Sequence, residues 1–269
     1  MTHLAAFRPV DYTRSAGSYP IRFPQADMGH AQDLEFCEVL LDGRWVRIRF
    51  HDYHQIYAYP GLYESIFYSL LKCTSPRVVC GMLMDQVHAA GETPSNLRVL
   101  DFGAGNGMVG EELRRYGIAA LCGVDILCEA EQAQQRDRPG LYDRYVVADF
   151  TQLDEPTEHA LRQMRFNALT SVAALGFGDI PPRAFLKALD LVEEEGWIAF
   201  NIKEQFLTGD RTGFAGLIRT LSDAGYLQMT SFLRYNHRMS IAGRKLYYLG
   251  IIARKLRPLD EAVWDMVEF

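Results

Sequence analysis

From residue 97 onward the chain alternates between short, densely apolar runs and longer stretches whose apolar residues recur every three or four positions. The runs at 97–102, 119–124, 144–148, 166–173 and 197–202 predict strands. Between and after them, helical spacing predicts helices at about 107–116, from about 127, and near 182–195 and 211–224. Strands alternating with helices predict a mostly parallel sheet covered by helices on both faces. The end of the chain reads differently. Tyr226 to Ser240 and Leu246 to Lys255 are two strand-like runs joined through Ala242-Gly243 with no helix between, which predicts an antiparallel pair closing the sheet.

The first 95 residues carry another pattern. Pro9, Gly17, Pro20, Pro24 and Gly29 interrupt residues 1–33, and no periodicity survives there, so this segment reads as an extended arm. Alternation then sets in around Asp42-Gly43, a dipeptide suited to a two-residue hairpin turn, and predicts strands at 34–41 and 44–50. An aromatic and histidine cluster follows: His51, Tyr53, His54, Tyr57, Tyr59 and Tyr63. Pro60 stands where a helix over 61–72 would start, and a second helix is expected from Pro76 to Gly91. The chain thus divides into an arm (1–33), a hairpin and helical region expected to form a lid and select the substrate (34–95), an α/β domain (96–257) and a tail (258–269). The hairpin's outer edge is free to pair with a second copy, so a homodimer is open.

The composition changes this picture little. Of 269 residues 48% are hydrophobic and 23% charged, ordinary values for a globular chain that needs no metal or disulfide to hold its core. The net charge of −6 argues against a nucleic-acid partner, because phosphate backbones repel an acidic chain. The basic residues Arg244, Lys245, Arg254, Lys255 and Arg257 read as strand ends facing solvent. Cys37, Cys73, Cys80, Cys122 and Cys128 are odd in number and form no Cys-x-x-Cys pair, as expected of reduced thiols in the cytoplasm. The N-terminus lacks the pattern of a signal peptide, and no apolar run reaches the ~18 residues of a membrane span.

The chemistry concentrates in Val99-Leu100-Asp101-Phe102-Gly103-Ala104-Gly105-Asn106-Gly107. A buried strand runs here into a glycine-rich turn and then into a helix. Glycines let a ligand lie against the backbone, and the helix N-terminus offers free N–H groups to an anionic part of it. About 20 residues further on, the next strand ends in Gly123-Val124-Asp125, where a carboxylate can accept hydrogen bonds from both ribose hydroxyls of a nucleoside. Gly105-Asn106-Gly107-Met108-Val109-Gly110 also spells Gly-x-Gly-x-x-Gly, a weak sign of a nicotinamide dinucleotide. Two acids argue the other way. Asp101 puts negative charge where a pyrophosphate would lie and would instead attract an ammonium, and Asp149-Phe150 offers an acid for adenine's amine and a ring against its face. Three carboxylates at three strand ends suit a cationic nucleoside.

With these residues in place, 97–203 resembles the core of the class I S-adenosylmethionine-dependent methyltransferases. Asp101-x-Gly103-x-Gly105-x-Gly107 is similar to their first motif, Asp125 to their ribose-binding acid and Asp149-Phe150 to their adenine-contacting pair. The resemblance implies a Rossmann-like α/β fold with a seven-stranded, mostly parallel sheet whose last strand is antiparallel. It also implies S-adenosylmethionine as cofactor and S-adenosylhomocysteine as product. Asn167 stands where the family's fourth strand usually has Asp. Ala104 and Ile126 join the cofactor site as neighbours of its motif residues. Ala173, at the end of the fourth strand, would let the methyl donor approach. The resemblance further implies a tyrosine over the methionine end, a place for Tyr57 or Tyr63.

No general base stands out. His54, His237 and Glu204 are the candidates for taking a proton from an acceptor, and each reads equally well as a polar surface residue. His51 and His54 have a metal-ligand spacing, but no matching Cys/His pair follows, so no metal is expected. The fourth strand does not end in the Asn/Asp-Pro-Pro-Tyr/Phe tetrapeptide of enzymes that methylate amino groups of bases or glutamine. The expected activity is in-line methyl transfer to an oxygen, nitrogen or carbon of a small molecule. Methylation of protein or RNA, and a cofactor-binding module without turnover, stay open.

Overall fold

A computed structural model describes residues 7–9, 19–24, 32–207 and 213–266. The chain divides into two units: Met1–Thr74 with Asn236–Leu246, and Ser75–Tyr235 with Tyr247–Phe269. This places the helix after Pro76 with the second unit and the tip of the closing strand pair with the first, a different division from one at residue 95.

In the first unit, strands β1 (Phe7–Pro9), β2 (Ile21–Pro24), β3 (Phe36–Leu41) and β4 (Arg44–Arg49) form one antiparallel sheet in that order. Cys37, Val39 and Leu41 are buried while their neighbours are half-buried, the period-two pattern of a strand with one wet face. Asp42 (φ 48°) and Gly43 (φ 77°) make the tight turn that the sequence predicts between β3 and β4. The described parts of the 1–33 arm are not merely extended. Phe7 pairs with Pro24 and Ile21 with Val39, so the expected hairpin is half of a four-stranded sheet. Helix α1 (Tyr53–Tyr57) follows, and the helix expected over 61–72 is shorter and winds as a π-helix, Glu64–Leu70. Ile21, Val39, Ile48, Phe50, Ile56 and Leu62 form the core of this unit. A buried ion pair fixes the 236–246 segment to it. Arg238 Nη2 donates to Glu35 Oε2 at 2.6 Å and the Ile241 N–H to Glu35 Oε1 at 2.9 Å.

The second unit begins with α2 (Ser75–Ala89). It continues with β5 (Arg98–Phe102), α3 (Met108–Arg115), β6 (Ala120–Asp125), α4 (Cys128–Asp137) and β7 (Arg144–Val147). Then come α5 (Glu155–Arg162), β8 (Ala168–Ser171), α6 (Pro182–Asp190), β9 (Trp197–Lys203) and α7 (Gly213–Asp223). Strands β10 (Leu227–Met239) and β11 (Lys245–Lys255) and helix α8 (Glu261–Met266) complete the chain. The seven strands lie in the order β10-β11-β9-β8-β5-β6-β7. Pairs β5·β6, β6·β7, β5·β8 and β8·β9 are parallel, and β11 runs antiparallel to β9. The expected sheet is therefore present. From β5 the chain winds first toward β6 and β7, then back to β8 and β9, so the topological switch point falls between β5 and β8, and a crevice at the carboxyl ends of such a pair is where open α/β sheets bind ligands.

Helix α5 was not anticipated. Asp154 caps it by accepting from the Thr157 N–H at 2.9 Å, and Pro156 stands in its first turn, so its start signal was readable. Helix α6 stops at Asp190 and not near 195. Lys255, expected to face solvent, is 2% exposed, and its ammonium donates to the carbonyls of Leu189, Asp190 and Val192 at 3.0, 3.2 and 2.5 Å. It thus adds a charged donor to the carbonyls at and just beyond the end of that helix. Residues 211–212 of the helix expected near 211–224 and 267–269 of the tail lie outside the described residues. No helix among the described residues is long and apolar enough to cross a membrane.

Candidate active site

Strand β5 delivers its last residues, Asp101 and Phe102, to the turn Gly103-Ala104-Gly105-Asn106-Gly107. Gly103 (φ 76°), Gly105 (φ 53°) and Gly107 (φ 93°) all adopt the left-handed conformation, and α3 starts immediately afterwards. At Gly103 space as well as conformation demands glycine: a Cβ there would stand 2.8 Å from the Ala174 Cβ and 3.1 Å from Ile180 Cδ1. The loop leaving β8 is therefore packed directly onto the glycine turn.

Asp101 is placed differently from expectation. It is 1% exposed, and its two oxygens accept hydrogen bonds from Tyr142 Oη (2.6 Å) and Thr170 Oγ1 (2.7 Å). Its effect on a cationic ligand is thus a field from behind the turn and not a direct contact. Burial pushes its carboxyl up to about 6, against the pull of the two hydroxyls. Tyr145 supports the turn as well, its hydroxyl donating to Gly105 O at 2.7 Å. Sequence reasoning missed both tyrosines. Their signal was the small residues opposite them, since a Cβ at Gly110 would meet Tyr142 and one at Gly123 would meet Tyr145.

Strand β6 ends at Asp125. One carboxylate oxygen accepts from the Gly105 N–H at 2.9 Å and the other from the Leu127 N–H at 3.0 Å, so the acid is tied to the glycine turn. Burial raises its pKa, opposed by these backbone donors. Each oxygen keeps a lone pair for a further donor. Beside it Ile126 is 59% exposed, and Val147, its neighbour across the sheet at the end of β7, is 38% exposed. Asp149 is half-buried and accepts from both the N–H and the hydroxyl of Thr151, bonds that hold its pKa low. Phe150 corrects an expectation. It is 4% exposed and packs on Phe102 at 4.8 Å between ring centroids, so its ring belongs to the core and not to a ligand's face.

At the end of β8, Ala173 takes a left-handed conformation (φ 59°), and its N–H donates to Asn201 Oδ1 at 2.6 Å. Asn201, on β9, is fully buried and also missing from the sequence reading.

The methyltransferase-domain family model matches residues 79–241, more than half of the chain. The chain belongs to the class I S-adenosylmethionine-dependent methyltransferases. Among solved structures, this methyltransferase is similar to the N-methyltransferase NodS from Bradyrhizobium japonicum in complex with S-adenosyl-L-homocysteine. The identity is 12% and the TM-score 0.53, over 77% of this chain and 98% of that one. It is also similar to magnesium protoporphyrin IX methyltransferase from Synechocystis with bound S-adenosylmethionine, at 16% identity and TM-score 0.45, over 67% and 79% of the two chains. At such identities the likeness is one of fold. No curated protein sequence matches the chain significantly.

The methyltransferase's own residues fit the family's donor. The carboxylate of Asp125 could accept from ribose hydroxyls, exposed Ile126 and Val147 could lie against a flat base, and the first N–H groups of α3 could receive the ligand's carboxylate. Of the candidate bases, two belong to the first unit and one to the second. Glu204 is exposed and accepts from Arg234 Nε at 3.3 Å. His54 is exposed on α1, and His237 is buried in the first unit with its Nδ1 3.9 Å from Cys73 Sγ. Burial, with Arg238 adding to it, lowers the His237 pKa well below the ordinary histidine value. Tyr57 and Tyr63 lie in the first unit, their rings 5.2 Å apart, and Tyr63 also packs on Phe67 at 4.8 Å.

Proposed function

We propose that this methyltransferase transfers the methyl group of S-adenosylmethionine to a nucleophilic oxygen, nitrogen or carbon of a small molecule in the cytoplasm. The observation that carries the donor site is the Asp125 carboxylate, tied to Gly105 and Leu127 and flanked by exposed Ile126 and Val147 at the sheet's carboxyl edge. A bound donor supplies a methyl carbon on a sulfonium: the acceptor's lone pair forms the new bond while the carbon–sulfur pair returns to sulfur. Because the positive sulfur already activates that carbon, the protein's task is to hold the acceptor in line and keep water out. Asp125 grips the ribose, the glycine turn lets the ligand lie on the backbone, and buried Asp101 offsets the ligand's positive charge from behind. A general base is needed only for an acceptor protonated at working pH.

Calorimetry with S-adenosylhomocysteine tests the donor site. Asp125→Ala should weaken binding at least about tenfold, as expected when a hydrogen-bonded carboxylate is lost. Unchanged affinity removes the ribose assignment. A metabolite extract incubated with methyl-labelled donor should then yield labelled small molecules.

A larger acceptor is the second reading, and one surface favours it. Trp45 on β4 is 41% exposed with the Arg22 guanidinium 4.0 Å over its ring, and Arg44, Arg47 and Arg49 share that strand. Label recovered in RNA or protein would support it.

A further inference from the structure

We propose that Asn201 is a positioning residue for methyl transfer: its side-chain amide holds the exit turn of β8 in the shape that faces the donor's methyl group. The inference rests on the donor site placed above. With the nucleoside gripped at the ends of β6 and β7, the rest of the ligand extends the other way, across β5 toward β8. Adjacent strands are about 4.8 Å apart, so the crevice between β5 and β8 is within one or two strand spacings of the ribose. The wall on the β8 side of that crevice is the segment from Ala173 to Ala174, and Ala174 packs onto Gly103.

This wall does not hold its shape by itself. Ala173 is an L-residue at φ 59°, a conformation that persists only where the surroundings impose it. The imposing contact is the 2.6 Å bond from the Ala173 N–H to Asn201 Oδ1. The amide's other end is committed as well, Nδ2 donating to Tyr235 Oη at 2.7 Å and to Ser75 Oγ at 3.1 Å. Those two hydroxyls bond each other at 2.7 Å. Ser75, Asn201 and Tyr235 are all buried, so water cannot substitute for a missing partner. With both N–H groups spent on hydroxyls, the amide presents only its oxygen to Ala173. The network therefore sets one orientation of Asn201 and, through it, one conformation of the turn.

S-adenosylmethionine and S-adenosylhomocysteine differ by the transferred methyl and its charge, so the ratio of their dissociation constants reports on the methyl's surroundings. A general loss of stability or of donor affinity moves both constants together and leaves the ratio alone. Both ligands should be titrated by calorimetry into the wild type, Asn201→Ala, Asn201→Asp, Tyr235→Phe and Asp125→Ala. Asn201→Ala is expected to change the ratio about fivefold, the scale of one neutral hydrogen bond. Asn201→Asp keeps an acceptor for Ala173 but adds a buried carboxylate, so it should shift the ratio toward the cationic S-adenosylmethionine. If Asn201→Ala does not fold, Tyr235→Phe, which removes one anchor of the amide, should move the ratio in the same direction by less. An unchanged ratio in the folded alanine variant overturns the proposal, as does an unchanged ratio in Tyr235→Phe where that variant alone folds. Loss of both ligands in Asp125→Ala with unchanged ratios in the others sinks the role of Asn201 alone. Wild type that binds neither ligand sinks the donor site and this inference together.

Discussion

Replacing Asp101 by Asn should stabilise the protein at neutral pH and do so less in acid. In the fold this acid titrates near 6, because burial opposes its charge more than the Tyr142 and Thr170 hydroxyls favour it, whereas in the unfolded chain it titrates near 3.8. At about 1.4 kcal/mol per factor of ten, the ionised folded carboxylate is disfavoured by about 3 kcal/mol relative to a free one. The sign follows from proton uptake. Between 3.8 and 6 the folded protein binds a proton that the unfolded chain has released, so the acid's contribution is largest below 3.8 and is lost as pH rises through 6. Linkage puts about 1.4 kcal/mol of that loss between pH 5 and pH 7.5. Asn cannot ionise, fills the same space, and both hydroxyls can turn to bond its amide. Urea unfolding of the two proteins, followed by tryptophan fluorescence across a pH series, isolates the effect because titrations not coupled to this acid cancel in the difference. The stability of Asp101→Asn relative to wild type should rise by about 1.4 kcal/mol from pH 5 to pH 7.5. Parallel profiles would falsify the claim that this carboxylate is held ionised at a cost to folding. An acid kept at such a cost is consistent with its role behind a cationic ligand.

Other outcomes follow from buried charges. Lys255→Met should destabilise by about 2–4 kcal/mol, since it removes the buried ammonium that bonds three carbonyls at and just beyond the end of α6. Burial lowers this ammonium's pKa to about 8 from 10.5, so the unfolded chain holds the proton longer as pH rises; wild type should gain on the variant between pH 8 and 10 in the same urea assay. In the first unit, Arg238→Met alone should cost about 3–5 kcal/mol, because it leaves the Glu35 carboxylate buried without its cation. Pairing it with Glu35→Leu should cost clearly less than the two single changes added together, and strict additivity in thermal melts would remove the coupling.

What the sequence made legible was dictated locally. The left-handed glycines of the turn, the acid at the end of β6 and the strand–helix alternation are each required by backbone geometry within a few residues. What it hid depends on residues far along the chain. That Asp101 would be buried follows from Tyr142 and Thr170, 41 and 69 positions away, and only the small residue Gly110, opposite Tyr142, hints at either. Lys255 looked solvent-facing beside Arg254, yet it seeks the carbonyls of a helix 63–66 positions earlier. β2 has four residues, too few for a period to emerge, and becomes a strand only because β3 offers its edge. Phe150 was readable and misread: it directly follows an outward acid, and its ring turns inward onto Phe102. That no general base was legible has another cause. Methyl transfer from an activated donor asks chiefly for position, and position is supplied by groups such as Asn201, whose importance lies in bonds to Ala173, Tyr235 and Ser75 and not in any reactivity the residue type would advertise.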